Sequence, residues 1–134
     1  MPEEVKVKEE NSSKESLSGY LEKLTDKPTE QQKEAWKAEF GEIFVSGFSE
    51  KELFIWRPIN RTEWSEMHSF IAGSETQLSE LDIEEYVCEK CVLWPKDYNW
   101  GKGKAGTAHT LHEQIMSNSN FLSPAAAMTL VAKL

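Results

Sequence analysis

The segment that most limits what this chain can become is Leu53-Phe54-Ile55-Trp56-Arg57-Pro58-Ile59-Asn60-Arg61-Thr62-Glu63-Trp64. Leu53 to Trp56 is an apolar, β-branched and aromatic run, which reads as a strand. Pro58 cannot donate to a sheet ladder, so the strand ends near it or lies at an edge. Asn60 or Thr62 can then cap a helix whose first turn carries Glu63 and Glu66, where the helix dipole favours acid. The chain therefore has to place a strand and a helix almost back to back here.

Upstream, Pro28, Glu30 and Gly41 mark the start and stop of a helix near 29–40, with Ala35, Trp36 and Phe40 on its apolar side. Ile43-Phe44-Val45 is a second β-prone run, joined to Leu53–Trp56 by a polar connection containing Gly47, so the two read as a hairpin. A lone hairpin is marginal in water and needs helices or another chain to complete it. An open edge is also a template for strand addition by a partner.

Downstream, residues 62–72 read as a helix carrying Trp64, Met67 and Ile71, and 73–79 as a polar loop. Ile83, Val87, Cys91 and Trp94 form one helical stripe that Pro95 is expected to end. Residues 96–105 read as a loop. Thr107 is expected to cap a helix with Leu111 and Ile115 inward, and Ser123-Pro124 to open a last helix through Lys133. The expected architecture is α+β: a small antiparallel hairpin packed with about five short helices, in one domain over 28–134.

Residues 1–27 are rich in Lys, Glu and Ser and are expected to form a mobile charged arm, because they carry too few apolar groups to offset chain entropy. Leu17, Tyr20, Leu21 and Leu24 do repeat at helical spacing, which also fits a helix that forms on a partner. The net charge of −8 speaks against broad nucleic-acid or anionic-membrane binding. No secretory signal is read at the start, and no apolar run reaches the roughly 18–20 residues that span a bilayer. Two cysteines without an export signal point to a reducing compartment.

Four residues invite a metal reading. Cys88 and Cys91, followed by His109 and His112, could together fill a tetrahedral zinc shell. Against it, no turn-forming glycine follows Cys91, the histidines are tightly spaced, and cysteine is also a small core hydrophobe. A redox Cys-x-x-Cys would need the pair at a helix start, whereas here it comes near a helix end. Gly101-Lys102-Gly103-Lys104-Ala105-Gly106-Thr107 is basic and glycine-rich but lacks the phosphate-loop spacing. His68 has no flanking nucleophile motif. No catalytic residue and no cofactor is assigned. Trp56, Arg57, Arg61 and Trp64 are the candidate partner-binding residues, since arginine beside tryptophan suits interfaces. Internal pairing of the arginines with Glu63 or Glu85 stands beside that reading.

Three segments carry a resemblance. Phe54 to Trp64 resembles an aromatic-x-x-Arg-Pro-Leu-x-Arg-x-Glu-aromatic pattern. Glu85-x-Val87-x-x-x-Cys91-Val92-Leu93-Trp94-Pro95 resembles a Val-x-x-x-Cys-Val-Leu-aromatic-Pro pattern. Ala105-Gly106 with Thr110, Leu111, Glu113, Ile115, Ser119 and Phe121 forms the third block. In this order, over roughly 42–122, they resemble small tail-assembly and baseplate-hub proteins of contractile-tailed bacteriophages. The resemblance implies a non-enzymatic structural component or tail-assembly chaperone, working in the host cytoplasm or retained in the virion, whose partners are other tail or baseplate proteins. Cys91 falls on the family's cysteine, while Cys88, His109 and His112 match no motif position. The alternative is a small zinc-binding adaptor built on those cysteines and histidines.

Overall fold

The computed structural model describes residues 17–73 and 79–134. The architecture is α+β, with six helices and a three-stranded antiparallel sheet among the described residues. In chain order these are α1 (residues 17–23), α2 (Glu30–Phe40), β1 (Phe44–Gly47), β2 (Leu53–Trp56), α3 (Arg61–Gly73), α4 (Glu80–Cys91), β3 (Val92–Trp94), α5 (Thr107–Asn118) and α6 (Pro124–Met128). The residues group into two compact units. One holds the described chain up to Arg57 together with Val92–Tyr98; the other holds Pro58–Cys91 and Asn99–Leu134.

The first unit is built on the sheet, ordered β1-β2-β3. β1 and β2 pair as expected, from Phe44 opposite Trp56 to Gly47 opposite Leu53. The hairpin loop is closed by Phe48 N donating to Glu52 O at 2.9 Å, and Ser49 Oγ accepts from the Lys51 and Glu52 amides. β2 is buried at all four positions. A strand covered on both faces needs an unbroken apolar run, and Leu-Phe-Ile-Trp supplies one. On one face Leu53 and Ile55 join Leu21, with Leu17, Tyr20, Leu24, Val45 and Trp94 packed around them. A Cβ on Gly47 would run into the Leu17 and Leu53 side chains, so glycine lets α1 lie close. On the other face Phe44 stacks on Trp56, and Phe54 meets Phe48 and Tyr98 edge-on.

Two element boundaries change in this unit. The arm was expected to run to residue 27, but residues 17–23 are helical and Leu21 is core; the sheet supplies the apolar surface that this short stripe lacks by itself. Its earlier part, residues 1–16, lies outside the described residues. The helix expected to run to Pro95 stops at Cys91, and Val92–Trp94 becomes β3, pairing Trp94 with Ile55. The hairpin is thereby a three-stranded sheet. β3 leads into Pro95 through a cis peptide bond.

Caps explain the helix limits. Thr29 and Gln32 form a reciprocal capping box on α2, and Gly41 ends it at φ 86°, a conformation that glycine adopts without a Cβ penalty. Trp36 and Phe40 are half-buried, whereas Ala35 is exposed rather than inward. At α3, Glu63 N donates to Asn60 Oδ1 at 2.9 Å and Asn60 N to Glu63 Oε1 at 3.2 Å, so Asn60 rather than Thr62 caps it. Ser79 and Asp82 repeat the arrangement before α4. Thr107 does not cap α5: Gly106 holds that position and Thr107 is buried as the first helical residue.

The second unit packs α4 against α5. Val87, Cys88 and Cys91 on α4, with Leu111 and Ile115 on α5, are fully buried, the two α5 residues as their spacing predicts. α6 ends at Met128 rather than Lys133; beyond it, successive i to i−3 bonds at Thr129, Leu130 and Val131 tighten the chain. Among the described residues no helix is long and apolar enough to cross a membrane.

Candidate protein-interaction site

The four residues read as partner-binding divide between the two units. Trp56 and Arg57 close β2 in the first, and Arg61 and Trp64 open α3 in the second. Trp56 is only 3% exposed, stacks on Phe44 with ring centroids 4.6 Å apart, and donates from Nε1 to Ser46 Oγ at 2.7 Å. Arg57 is 7% exposed, with its guanidinium 4.6 Å from the centre of the Phe40 ring. That is a cation–π contact made inside the unit. Trp56 and Arg57, expected as docking residues, are thus buried against the first unit's own Phe44 and Phe40. Composition suggested an interface, but tryptophan and arginine suit interfaces and interiors alike, and here both side chains are interior. Arg61 is exposed, and half-buried Trp64 packs its ring against His68 and Phe121.

What the first unit offers a partner is backbone. Antiparallel pairing alternates between residues that exchange bonds with the neighbouring strand and residues that point away. The Phe48-to-Glu52 bond sets that alternation: Phe44 and Ser46 bond toward β2, so the N–H and C=O of Val45 and Gly47 point outward. By the same alternation Ile55 faces β3, and it is there paired with Trp94. No strand pairs with the outer edge of β1 among the described residues. The edge expected from the sequence is present.

The zinc set is distributed as follows. Cys88 and Cys91 are buried in the last turn of α4, and Cys88 Sγ donates to Ala108 O at 3.3 Å. His109 is turned toward Glu84, with Nδ1 2.7 Å from Oε1, and His112 is half-buried one turn later on α5. Among the described residues no three His, Cys, Asp or Glu side chains are grouped to hold a metal ion. Burial, reinforced by the neighbouring Cys91, pushes the Cys88 thiol up to about 12. At neutral pH it is a protonated thiol with little nucleophilicity. Native protein is accordingly expected to resist a thiol-specific reagent at pH 7.5 and to label at both cysteines once unfolded in urea; rapid native labelling at Cys88 would contradict this burial.

The Glu84 carboxylate, hydrogen-bonded to His109, raises the histidine above its ordinary 6.5. Because the folded value is the raised one, the pair's contribution is complete below pH 6.5 and is lost as pH rises through the folded value. An NMR titration should find His109 above 6.5 and bring it back down in Glu84→Gln. An unmoved value in that variant would remove the pairing as the cause.

His68 lies exposed on α3. The basic loop before α5 is closed on itself, with Asn99 accepting from the Lys102 amide through both O and Oδ1. The feature that sequence reasoning missed is the surface beyond α5. Every residue from Phe121 to Leu134 is exposed, including Leu122, Met128, Leu130 and Val131. The run Phe121-Leu122 followed by Met128-Thr129-Leu130-Val131 was legible as apolar, but its helical spacing reads equally as a packed helix. Comparison with known proteins found no match: no family model, no curated protein and no solved structure is significantly similar to the chain.

Proposed function

We propose that this chain is a non-enzymatic component or assembly chaperone of a contractile phage tail or baseplate, and that it acts by protein–protein binding. The phage assignment rests on the three sequence blocks at Phe54–Trp64, Val87–Pro95 and Ala105–Phe121. The binding mode rests on one observation: the outer edge of β1 presents the backbone groups of Val45 and Gly47 with no strand beside it among the described residues. An extended segment of a tail or baseplate subunit adds there as a fourth strand, taking affinity from main-chain bonds and specificity from alternate side chains.

Proline tests the mode. At Val45 it removes an outward-facing donor and leaves the ladder to β2 intact, a placement that sheet edges tolerate. At Ser46 it removes a donor that bonds β2. Val45→Pro is expected to fold with a lowered melting temperature, because Val45 also packs on the Leu21 cluster, and to lose co-elution with the partner subunit, whereas Ser46→Pro is expected to unfold the sheet. Retained co-elution by folded Val45→Pro would rule out strand addition at β1.

A further inference from the structure

In a chain of net charge −8, the stretch after Glu113 contains no carboxylate side chain and one cation, Lys133. It is also the most exposed apolar part of the described chain: Met128, Leu130 and Val131 are each more than 70% open to solvent. Large apolar side chains left this exposed and close together in the chain suit an interaction site. Ala127, Leu130, Val131 and Leu134 are spaced i, i+3, i+4, i+7, the anchor pattern of a helix laid into a groove, and Lys133 falls on the flank of that stripe. The helix stops at Met128 in the isolated chain because a short helix with no packed face is marginal.

The same unit carries a groove of complementary character. Between α3 and α4 a hollow of about 230 Å³ is lined by Phe70, Ile71 and Tyr86, with the carboxylates of Asp82, Glu85 and Glu89 around it. Phe70 is 60% exposed and stacks on Tyr86 with ring centroids 6.3 Å apart. An apolar floor with an acidic rim suits an apolar helix that carries a flanking cation and no acid. Segment 124–134 has that pattern in sequence, and both it and the groove are open among the described residues.

We infer that the chain self-associates, with segment 124–134 of one copy lying as an extended helix in the α3–α4 groove of a second copy and Lys133 pairing with the acidic rim. A reciprocal exchange buries both segments and both grooves at once, as a two-fold dimer requires. This inference is independent of the β1 reading and is tested on the purified chain alone.

Sedimentation equilibrium of the full chain across a concentration series is the test. The wild type is expected to dimerise reversibly. Leu130→Asp with Val131→Asp is expected to weaken the dimer by at least about tenfold, and Lys133→Glu or Glu85→Lys by about two- to fivefold each. Lys133→Glu combined with Glu85→Lys should recover most of the charge loss. All four positions lie on the surface or the groove rim, and circular dichroism checks that each variant folds. A monomer at every concentration overturns the proposal, as does a dimer indifferent to the segment variants or a charge exchange without recovery. Protection of segment 124–134 in a monomer would place it in its own chain's groove and overturn the second-copy assignment.

Discussion

Trp56→Ala is expected to lower the unfolding free energy by about 3–5 kcal/mol, the range for removing a buried large aromatic side chain. Three losses add at this position. The ring gives up its burial on the central strand, its stack on Phe44, and the Nε1 hydrogen bond to Ser46 Oγ. Phe44 is the residue directly opposite on β1, so the cavity opens between paired strands. Trp56→Phe keeps a ring against Phe44 and loses the hydrogen bond; about 1–2 kcal/mol is expected for it. Urea unfolding should show both as a lower midpoint with the slope unchanged. The experiment also separates bracing from docking. A Trp56→Ala protein of wild-type stability that had lost a partner would restore the interface role that burial argues against.

Leu111→Ala is the corresponding test of the second unit, with an expected cost of about 2–5 kcal/mol. Leu111 is fully buried on α5, and α5 packs against α4, whose Val87, Cys88 and Cys91 are also fully buried. The large end of the range applies if the helices hold their spacing, and the small end if they close on the gap. The same variant should admit the thiol reagent, since Cys88 is held by a bond to Ala108 O, one turn before Leu111. Faster labelling of Cys88 together with a lower urea midpoint is the expected pair of results. An unchanged midpoint would mean that α4 and α5 are not packed as described.

The elements that punctuate themselves were legible in the sequence. Gly41 announces the end of α2, Asn60 with Glu63 the start of α3, and Gly47 with its polar neighbours the hairpin. Leu111 and Ile115 declare the inner face of α5 by spacing alone. What escaped was decided by tertiary contact. Val92, Leu93 and Trp94 continue the stripe begun by Ile83, Val87 and Cys91, and nothing local says that the helix stops before them; pairing with Ile55 does. Leu17 to Leu24 had the right spacing, but its place on the sheet depends on Gly47 leaving room. Of the candidate partner-binding residues, sequence found the dense cluster and could not rank it, because Trp56 and Arg57 differ from Arg61 chiefly in what covers them. The β1 edge was legible as a hairpin edge. The open apolar segment after Phe121 was not, since an apolar helical pattern looks the same packed or waiting for a partner.

The proposed function is the binding of a tail or baseplate protein along β1. The direct measurement is co-expression of the full chain with contractile-tail and baseplate subunits, followed by size-exclusion chromatography and mass spectrometry of the co-eluting fractions. A stoichiometric complex with one such subunit, formed by the wild type and not by folded Val45→Pro, is the expected result. Elution of the wild-type chain free of every tail and baseplate subunit would contradict it.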